Sequence, residues 1–142
     1  MKIGNKGIEL IKNFEGFSST AYRCPAGILT IGYGHTRNVS CSQVISKLQA
    51  EDLLRIDIID AEQAVTRLVN KKLTQNQFDA LVSFAFNCGI GNLIKSTLLK
   101  KVNINPSDSS IAYEFNRWNK ANGNVLKGLT RRREAEANLY FS

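Results

Sequence analysis

The residues with reactive side chains at suggestive spacing lie in one stretch, Glu15 to Thr36, which reads EGFSSTAYRCPAGILTIGYGHT. Glu15 closes a run in which Ile8, Ile11 and Glu15 stand at i, i+3 and i+7 with Phe14 beside them, the stripe of an amphipathic helix. Gly16 stops that helix, so the carboxyl meets both the negative end of the helix dipole and an apolar flank. Both effects push a carboxyl pKa upward, and a carboxyl still protonated near neutrality is a proton donor. An isolated glutamate at a helix end is more often a solvated surface group. Cys24 falls at a strand end before Pro25, and a thiol works as base or nucleophile only once ionised. Thr30 carries a hydroxyl that both donates and accepts, on a strand face shared with Gly32 and Gly34, where a bulky ligand would reach the backbone.

These groups need elements to hold them. From Phe17 to Ser40, Tyr, Thr, Ile and Gly alternate with turn formers, which predicts two or three short antiparallel strands with a first turn at Pro25, Ala26 and Gly27. The alternation puts Leu29, Ile31 and Tyr33 on the packed face and leaves Thr30 on the open one. Gln43 to Asn70 has no glycine or proline and reads as one long helix or two nearly continuous ones. Thr74 to Gln77 matches a capping box and starts a helix that stops at Cys88, Gly89 and Gly91. Ser96 caps a short helix through Val102, Pro106 suits a first helical turn, and Ile111, Phe115 and Trp118 mark a helix to about Gly123. Thr130 is expected to cap the last helix, which places Arg131, Arg132 and Arg133 against the positive end of its dipole and suggests an anion site. The expected fold class is α+β, mainly helical: one domain over 1–142, with a small antiparallel sheet lobe at about 16–41 and a helical body from 1–15 and 42–142. Ligand is expected at the junction of sheet and helices.

Composition narrows the partners. At 142 residues and 43% hydrophobic, the chain can bury one core but not two. No apolar run approaches the roughly 20 residues that span a bilayer, and MKIGNKGIELIKNFEG does not read as a signal peptide, so a cytoplasmic start without membrane insertion is expected. Cys24, Cys41 and Cys88 are odd in number without CxxC spacing, which points to free thiols and to neither disulfides nor a metal site. The net charge of +7 favours a polyanionic partner, whether nucleic acid, anionic membrane or an acidic wall polymer.

The spacing of Glu15, Cys24 and Thr30 followed by TIGYGHT resembles the catalytic signature of phage-type lysozymes, the endolysins of glycoside hydrolase family 24. The resemblance continues in FDALVSFAFNCGIGN at 78–92, KSTLLKKVN at 95–103, RW at 117–118 and GLTRRREAEANLY at 128–140, in order and over essentially the whole chain. It implies a lysozyme-like fold and a muramidase that hydrolyses the β-1,4 bond between N-acetylmuramic acid and N-acetylglucosamine in bacterial peptidoglycan, with no cofactor. It further implies that Glu15 is the acid, that Cys24 stands where the family usually has Asp, and that Thr30 holds the attacking water. Gly34, Thr36 and Phe86 match positions that line the sugar cleft, with Ser96 a weaker match near that wall, and Asn87 offers an amide to N-acetyl groups in a direction that the sequence leaves open. His35 has a structural part, and His35, Arg131 or Arg132 would be the cation near Glu15. Endolysin analogy implies a monomer that stays in the host cytoplasm until a holin-type membrane permeabiliser releases it.

Three other readings remain at this stage. Cys24 in place of Asp also suits an inactive lysozyme-like domain that only binds peptidoglycan. A thiol hydrolase pairing Cys24 with His35 is disfavoured, because cysteine nucleophiles commonly sit at a helix N-terminus. A nucleic-acid-binding domain has only the charge in its favour.

Overall fold

The computed structural model describes residues 1–142 and contains seven helices and four short strands. They run α1 (Asn5–Glu15), β1 (Ser18–Arg23), β2 (Leu29–Gly32), α2 (Lys47–Leu68), α3 (Gln75–Cys88), α4 (Ile90–Lys95), α5 (Thr97–Ile104), α6 (Ile111–Asn116), β3 (Lys120–Ala121), β4 (Asn124–Val125) and α7 (Lys127–Tyr140). The expected α+β, mainly helical class is the one observed. The chain divides into two compact units, a smaller one of Ile11–Ile59 and a larger one of Met1–Leu10 with Asp60–Ser142.

In the smaller unit β1 and β2 pair antiparallel, with Tyr22 opposite Thr30 and a bulge between Ser18 and Tyr22. The connecting turn has Pro25 at its second position, and Gly27 N–H donates to Cys24 O at 2.7 Å. Gly27 then takes φ +80°, which lets the strand resume with Cys24 N–H bonded to Ile28 O at 3.0 Å. A third strand is reduced to a single bridge between Thr20 and Val44. Gln43–Asn70 yields one helix, α2, whose buried Ala50, Leu54 and Ile58 belong to this unit.

The larger unit is organised by α3, whose residues Phe78 to Ala85 are all buried. Its capping box is the expected one: Thr74 accepts from Gln77 N–H while the Gln77 side chain returns to Thr74 N–H. Phe84 meets Phe115 and Trp118 edge-on at 5.8 and 5.7 Å. Phe115 in turn contacts Tyr140, whose hydroxyl donates to Pro106 O at 2.7 Å. Glu114 is buried between Lys101 at 2.8 Å and Arg117 at 3.0 Å. Burial works against its charge, but the two cations prevail and hold its carboxyl below the usual range.

The start of α1 has no local capping side chain. Asp79, buried on α3, supplies the cap instead, accepting from Gly4 N–H at 2.9 Å and Gly7 N–H at 3.1 Å. A carboxylate there satisfies two otherwise orphaned donors and opposes the positive end of the dipole.

Three expectations fail toward the C-terminus. Helix α6 ends at Asn116 instead of near Gly123, and 120–125 is a hairpin. Asn122 and Gly123 both have positive φ, 52° and 80°, as the two-residue turn between right-twisted strands requires. Pro106 accordingly lies in a turn ahead of α6, not in its first helical turn. Thr130 does not cap α7, because Leu126 leaves the hairpin directly into the helix and its carbonyl accepts from Thr130 N–H at 3.0 Å. The three arginines therefore lie past the first turn, and Arg132 and Arg133 are buried rather than presented at a helix N-terminus.

Replacing Asp79 by Ala strands the two N–H donors, and a loss of about 2–3 kcal/mol is expected in denaturant unfolding. A loss below about 0.5 kcal/mol would mean that water caps α1 equally well.

Candidate functional site

Glu15 is the last residue of α1 and is half-buried. Gly16 follows at φ +71°, with its N–H bonded to Lys12 O at 3.0 Å, so the helix ends where the sequence pattern puts its end. After β2 the chain turns through Gly32, Tyr33 and Gly34, and Ile31 and His35 exchange backbone hydrogen bonds at 2.9 Å. This turn brings Gly34 against the acid. At φ +78°, a Cβ on residue 34 would lie 2.8 Å from Glu15 Oε1. Glycine is required there twice over, by backbone conformation and by the space the carboxylate fills.

Cys24 and Thr30 meet across the hairpin. Cys24 is half-buried at the start of the turn. Its thiol is held below the ordinary value chiefly by the N–H of Ile28, with help from the Ala26 N–H and the Thr30 hydroxyl, against a smaller opposing effect of burial. Backbone donors aimed at a sulfur favour its anion, as a concave set of N–H groups favours any anion. The single Thr30 hydroxyl hydrogen also has Ile28 O within reach at 3.0 Å. Whichever acceptor takes it, a lone pair of Oγ1 remains for another donor.

Thr30 does not lie on an open face, as the alternation pattern suggested. It is only 4% exposed, and two residues further along β2 a Cβ on Gly32 would lie 3.0 Å from Ala50 and 3.1 Å from Ile45. Ile31 and Tyr33 on the other side are buried as well, so both faces of the strand are packed.

His35 is buried, and its Nδ1 lies 2.8 Å from Asp57 Oδ2 on α2. The carboxylate only accepts, so Nδ1 carries the hydrogen, and the pair ties the β2 turn to the helix. Asp57 was not singled out from sequence, although a charged residue beside Leu54, Ile58 and Ala61 on an apolar stripe is a readable signal. Thr36, next to His35, is exposed.

The remaining site candidates belong to the larger unit. Phe86 is half-buried and Asn87 exposed, both in the last turn of α3. Arg131 is exposed, whereas Arg132 is buried, 3.4 Å from both Glu136 Oε2 and Ser83 Oγ. Ser96 is buried as the cap of α5, accepting from Leu99 N–H at 3.0 Å, which fully accounts for it. Arg133, read from the sequence only as part of a basic turn facing an anion, is fully buried. Its Nη2 donates to Asn87 Oδ1 at 2.5 Å, its Nη1 meets Cys88 Sγ, and its Nε lies 2.9 Å from Glu136 Oε1. The spacing of Arg132 and Arg133 to Glu136, i+4 and i+3, was the available clue. Burial pushes the Glu136 carboxyl up despite its two arginines, and pushes the Cys88 thiol up likewise. No group of three or more His, Cys, Asp or Glu side chains is placed to hold a metal ion.

The phage lysozyme family model matches residues 12–136. The chain belongs to the phage lysozyme family. As a phage lysozyme it is a glycoside hydrolase. It is 44% identical to the endolysin of Acyrthosiphon pisum secondary endosymbiont phage 1, over all of this chain and 99% of that protein. With the endolysin of Bacillus phage B103 the identity is 46% over the whole chain, which spans 55% of that longer relative. Among solved structures, a muramidase domain of SpmX from Asticaccaulis excentricus superposes with a TM-score of 0.91 at 41% identity, covering 99% of this chain and 98% of that one. The endolysin of Escherichia coli O157:H7 phage FAHEc1 gives 0.93 at 36%, covering 100% and 94%.

Gly34→Ala forces a left-handed Ala, costing about 1–2 kcal/mol, and drives a methyl into the Glu15 carboxylate. A modest fall in melting temperature is expected together with a drop of at least about tenfold in wall lysis. Full activity in a folded variant would show that the spacing of residues 15 and 34 does not matter to the reaction.

Proposed function

We propose that this endolysin-type muramidase cleaves the β-1,4 bond between N-acetylmuramic acid and N-acetylglucosamine with Glu15 as general acid, Cys24 as the anionic group that activates water, and Thr30 as the residue that holds that water. The observation that carries the reading is the donor set around Cys24. The Ile28 and Ala26 N–H groups and the Thr30 hydroxyl depress the thiol, so a position where the family usually has Asp still favours an anion. Glycoside cleavage needs an acid for the departing oxygen and a second group that either attacks carbon or takes a proton from water. Glu15 protonates the glycosidic oxygen, the Cys24 thiolate accepts a proton from water, and the free lone pair of Thr30 takes the other water hydrogen as a hydrogen bond. Net charge is conserved: the acid loses one proton and the thiolate gains one.

In this reading Gly34 and Thr36 of the smaller unit and Phe86 and Asn87 of the larger unit each contact the glycan, and His35, through Asp57, fixes the turn that carries Gly34. Arg131 and Arg132 support the site as cations. The enzyme acts as a monomer, is made in the host cytoplasm and reaches the wall through a holin-type permeabiliser, a sequence of events supported by the likeness to endolysins. No helix is long and apolar enough to cross a membrane. The charge of +7 draws the protein to the anionic wall.

Three measurements test this. Glu15→Gln is expected to lower release of reducing ends from purified walls by about 10²–10⁴-fold, and survival of lysis would remove Glu15 from the mechanism. Cys24→Ser should be nearly inactive while Cys24→Asp retains activity. Because thiolate is lost as pH falls and a carboxylate ionises at lower pH, the acidic limb of the kcat/KM profile should move down by roughly two or more pH units in Cys24→Asp. An unmoved limb would show that Cys24 is not the base. Wall lysis by the unmutated enzyme should also fall between low salt and several hundred millimolar. A flat response would exclude electrostatic encounter.

A further inference from the structure

We propose that Asn87 selects N-acetylated sugars by donating a hydrogen bond to the acetamido carbonyl, and that buried Arg133 imposes this polarity on it. The inference rests on the muramidase reading above and gives its substrate a specific recognition group.

An asparagine amide can present either its oxygen or its NH₂ to a ligand, and an isolated side chain leaves the choice open. Here the choice is made from behind. A guanidinium only donates, and Arg133 Nη2 stands 2.5 Å from Asn87 Oδ1. Turning the amide over would set donor against donor, so Oδ1 faces inward and Nδ2, with two hydrogens, faces out. Arg133 has little freedom to release that oxygen. It is 0% exposed, its guanidinium carbon lies 5.2 Å from the centroid of the Phe84 ring, and its other terminal nitrogen meets Cys88 Sγ. Its Nε is 2.9 Å from Glu136 Oε1, at an angle that makes the contact an ion pair without a hydrogen bond. A buried charge with these partners has no cheap alternative position.

Asn87 lines a cavity of 290 Å³ together with Cys88, Asn92, Trp118, Lys120 and Leu129. Asn92 faces the opposite way: its Nδ2 donates to Cys88 O at 2.6 Å, which leaves its Oδ1 as an acceptor. The cavity thus offers a neutral donor from Asn87 and an acceptor from Asn92, with the Lys120 cation and the apolar surfaces of Trp118 and Leu129 beside them. A secondary amide with a methyl group has the complementary set: a carbonyl that accepts, an N–H that donates and an apolar end. The acetamido arm of an amino sugar is such a group. Free hydroxyls or an ammonium at the same sugar carbon would leave the Asn87 hydrogens facing another donor or no acceptor of equal strength.

The test compares reducing-end release from one wall preparation before and after chemical N-deacetylation. The unmutated enzyme is expected to favour the acetylated wall in kcat/KM by at least about tenfold. Asn87→Asp keeps the inward oxygen for Arg133 and replaces the outward donor by an acceptor, so this preference should collapse or invert, since a carboxylate suits the exposed ammonium. The change should appear chiefly in KM, as expected for a group that binds without touching the reacting bond. Arg133→Lys keeps the charge beside Glu136 but cannot reach Cys88 and Asn87 with separate nitrogens, and should narrow the preference in the same direction. A ratio of two walls for one variant is insensitive to how much of that variant is folded. An unchanged ratio in Asn87→Asp, with cleavage persisting, overturns the role of Asn87. A changed ratio there but not in Arg133→Lys overturns the part given to Arg133. Absence of reducing ends from either wall with the unmutated enzyme refutes the muramidase reading itself.

Discussion

The approach of the β2 turn to Glu15 is the constraint on which the arrangement of the smaller unit's polar residues depends. Residue 34 comes so close to the carboxylate that only a residue without Cβ fits, and its left-handed backbone permits the turn. Gly16 ends α1 at Glu15 by the same conformational licence, so two glycines define where the acid sits. The positions of Ile31, His35 and Asp57 follow from this turn. The Ile31–His35 bonds close it, and the His35–Asp57 pair anchors it to α2. Glycine at such points costs conformational entropy in the unfolded chain, offset here by burial of Ile31 and Tyr33 around the turn.

Polar groups at low exposure do different work in the two units. Around Cys24 the donors are mostly backbone N–H groups of a turn, which are fixed by the chain path and need no side-chain ordering. A thiol placed there meets an environment suited to an anion. In the larger unit the polar centre consists of side chains, Ser83, Arg132, Arg133 and Glu136, and Ser83 Oγ donates to Glu136 Oε2 at 2.6 Å. Such a cluster is weak evidence for net stability, since desolvation of its charges offsets their attraction. Its evident consequence is orientation: each member restricts the next, ending at Asn87 on the surface.

Local signals in the chain were strong where one element answers to its own residues. The capping box at Thr74 and Gln77, the glycine stop after Glu15 and the uninterrupted run that became α2 all satisfy their own backbone groups within a few residues. The 120–125 hairpin was equally local, since Asn122-Gly123 is a recognised two-residue turn signal, but the apolar spacing of Ile111, Phe115 and Trp118 suggested that the helix continued through it. Thr130 misled for a similar reason. It is a good capping type, yet the hairpin delivers the chain into α7 at Leu126, and a helix starts where its first hydrogen bond can close.

By itself the sequence determined the mainly helical α+β class, the family signature and the helix end at Glu15, because periodicity, capping and spaced motifs depend on near neighbours along the chain. Only the tertiary structure decided the burial of Thr30, the cap that Asp79 lends to α1, the pairing of His35 with Asp57 and the direction of the Asn87 amide. Each of these depends on a partner far away in sequence. Alternation along a strand cannot reveal that Ile45 and Ala50 close in on Gly32, and an asparagine's polarity is set by whichever donor stands behind it. The helix end, turn and Gly-rich strand from Glu15 to Thr36 were legible as residues with chemical potential. Their arrangement into an acid and a supported thiol came from contacts that no local pattern records.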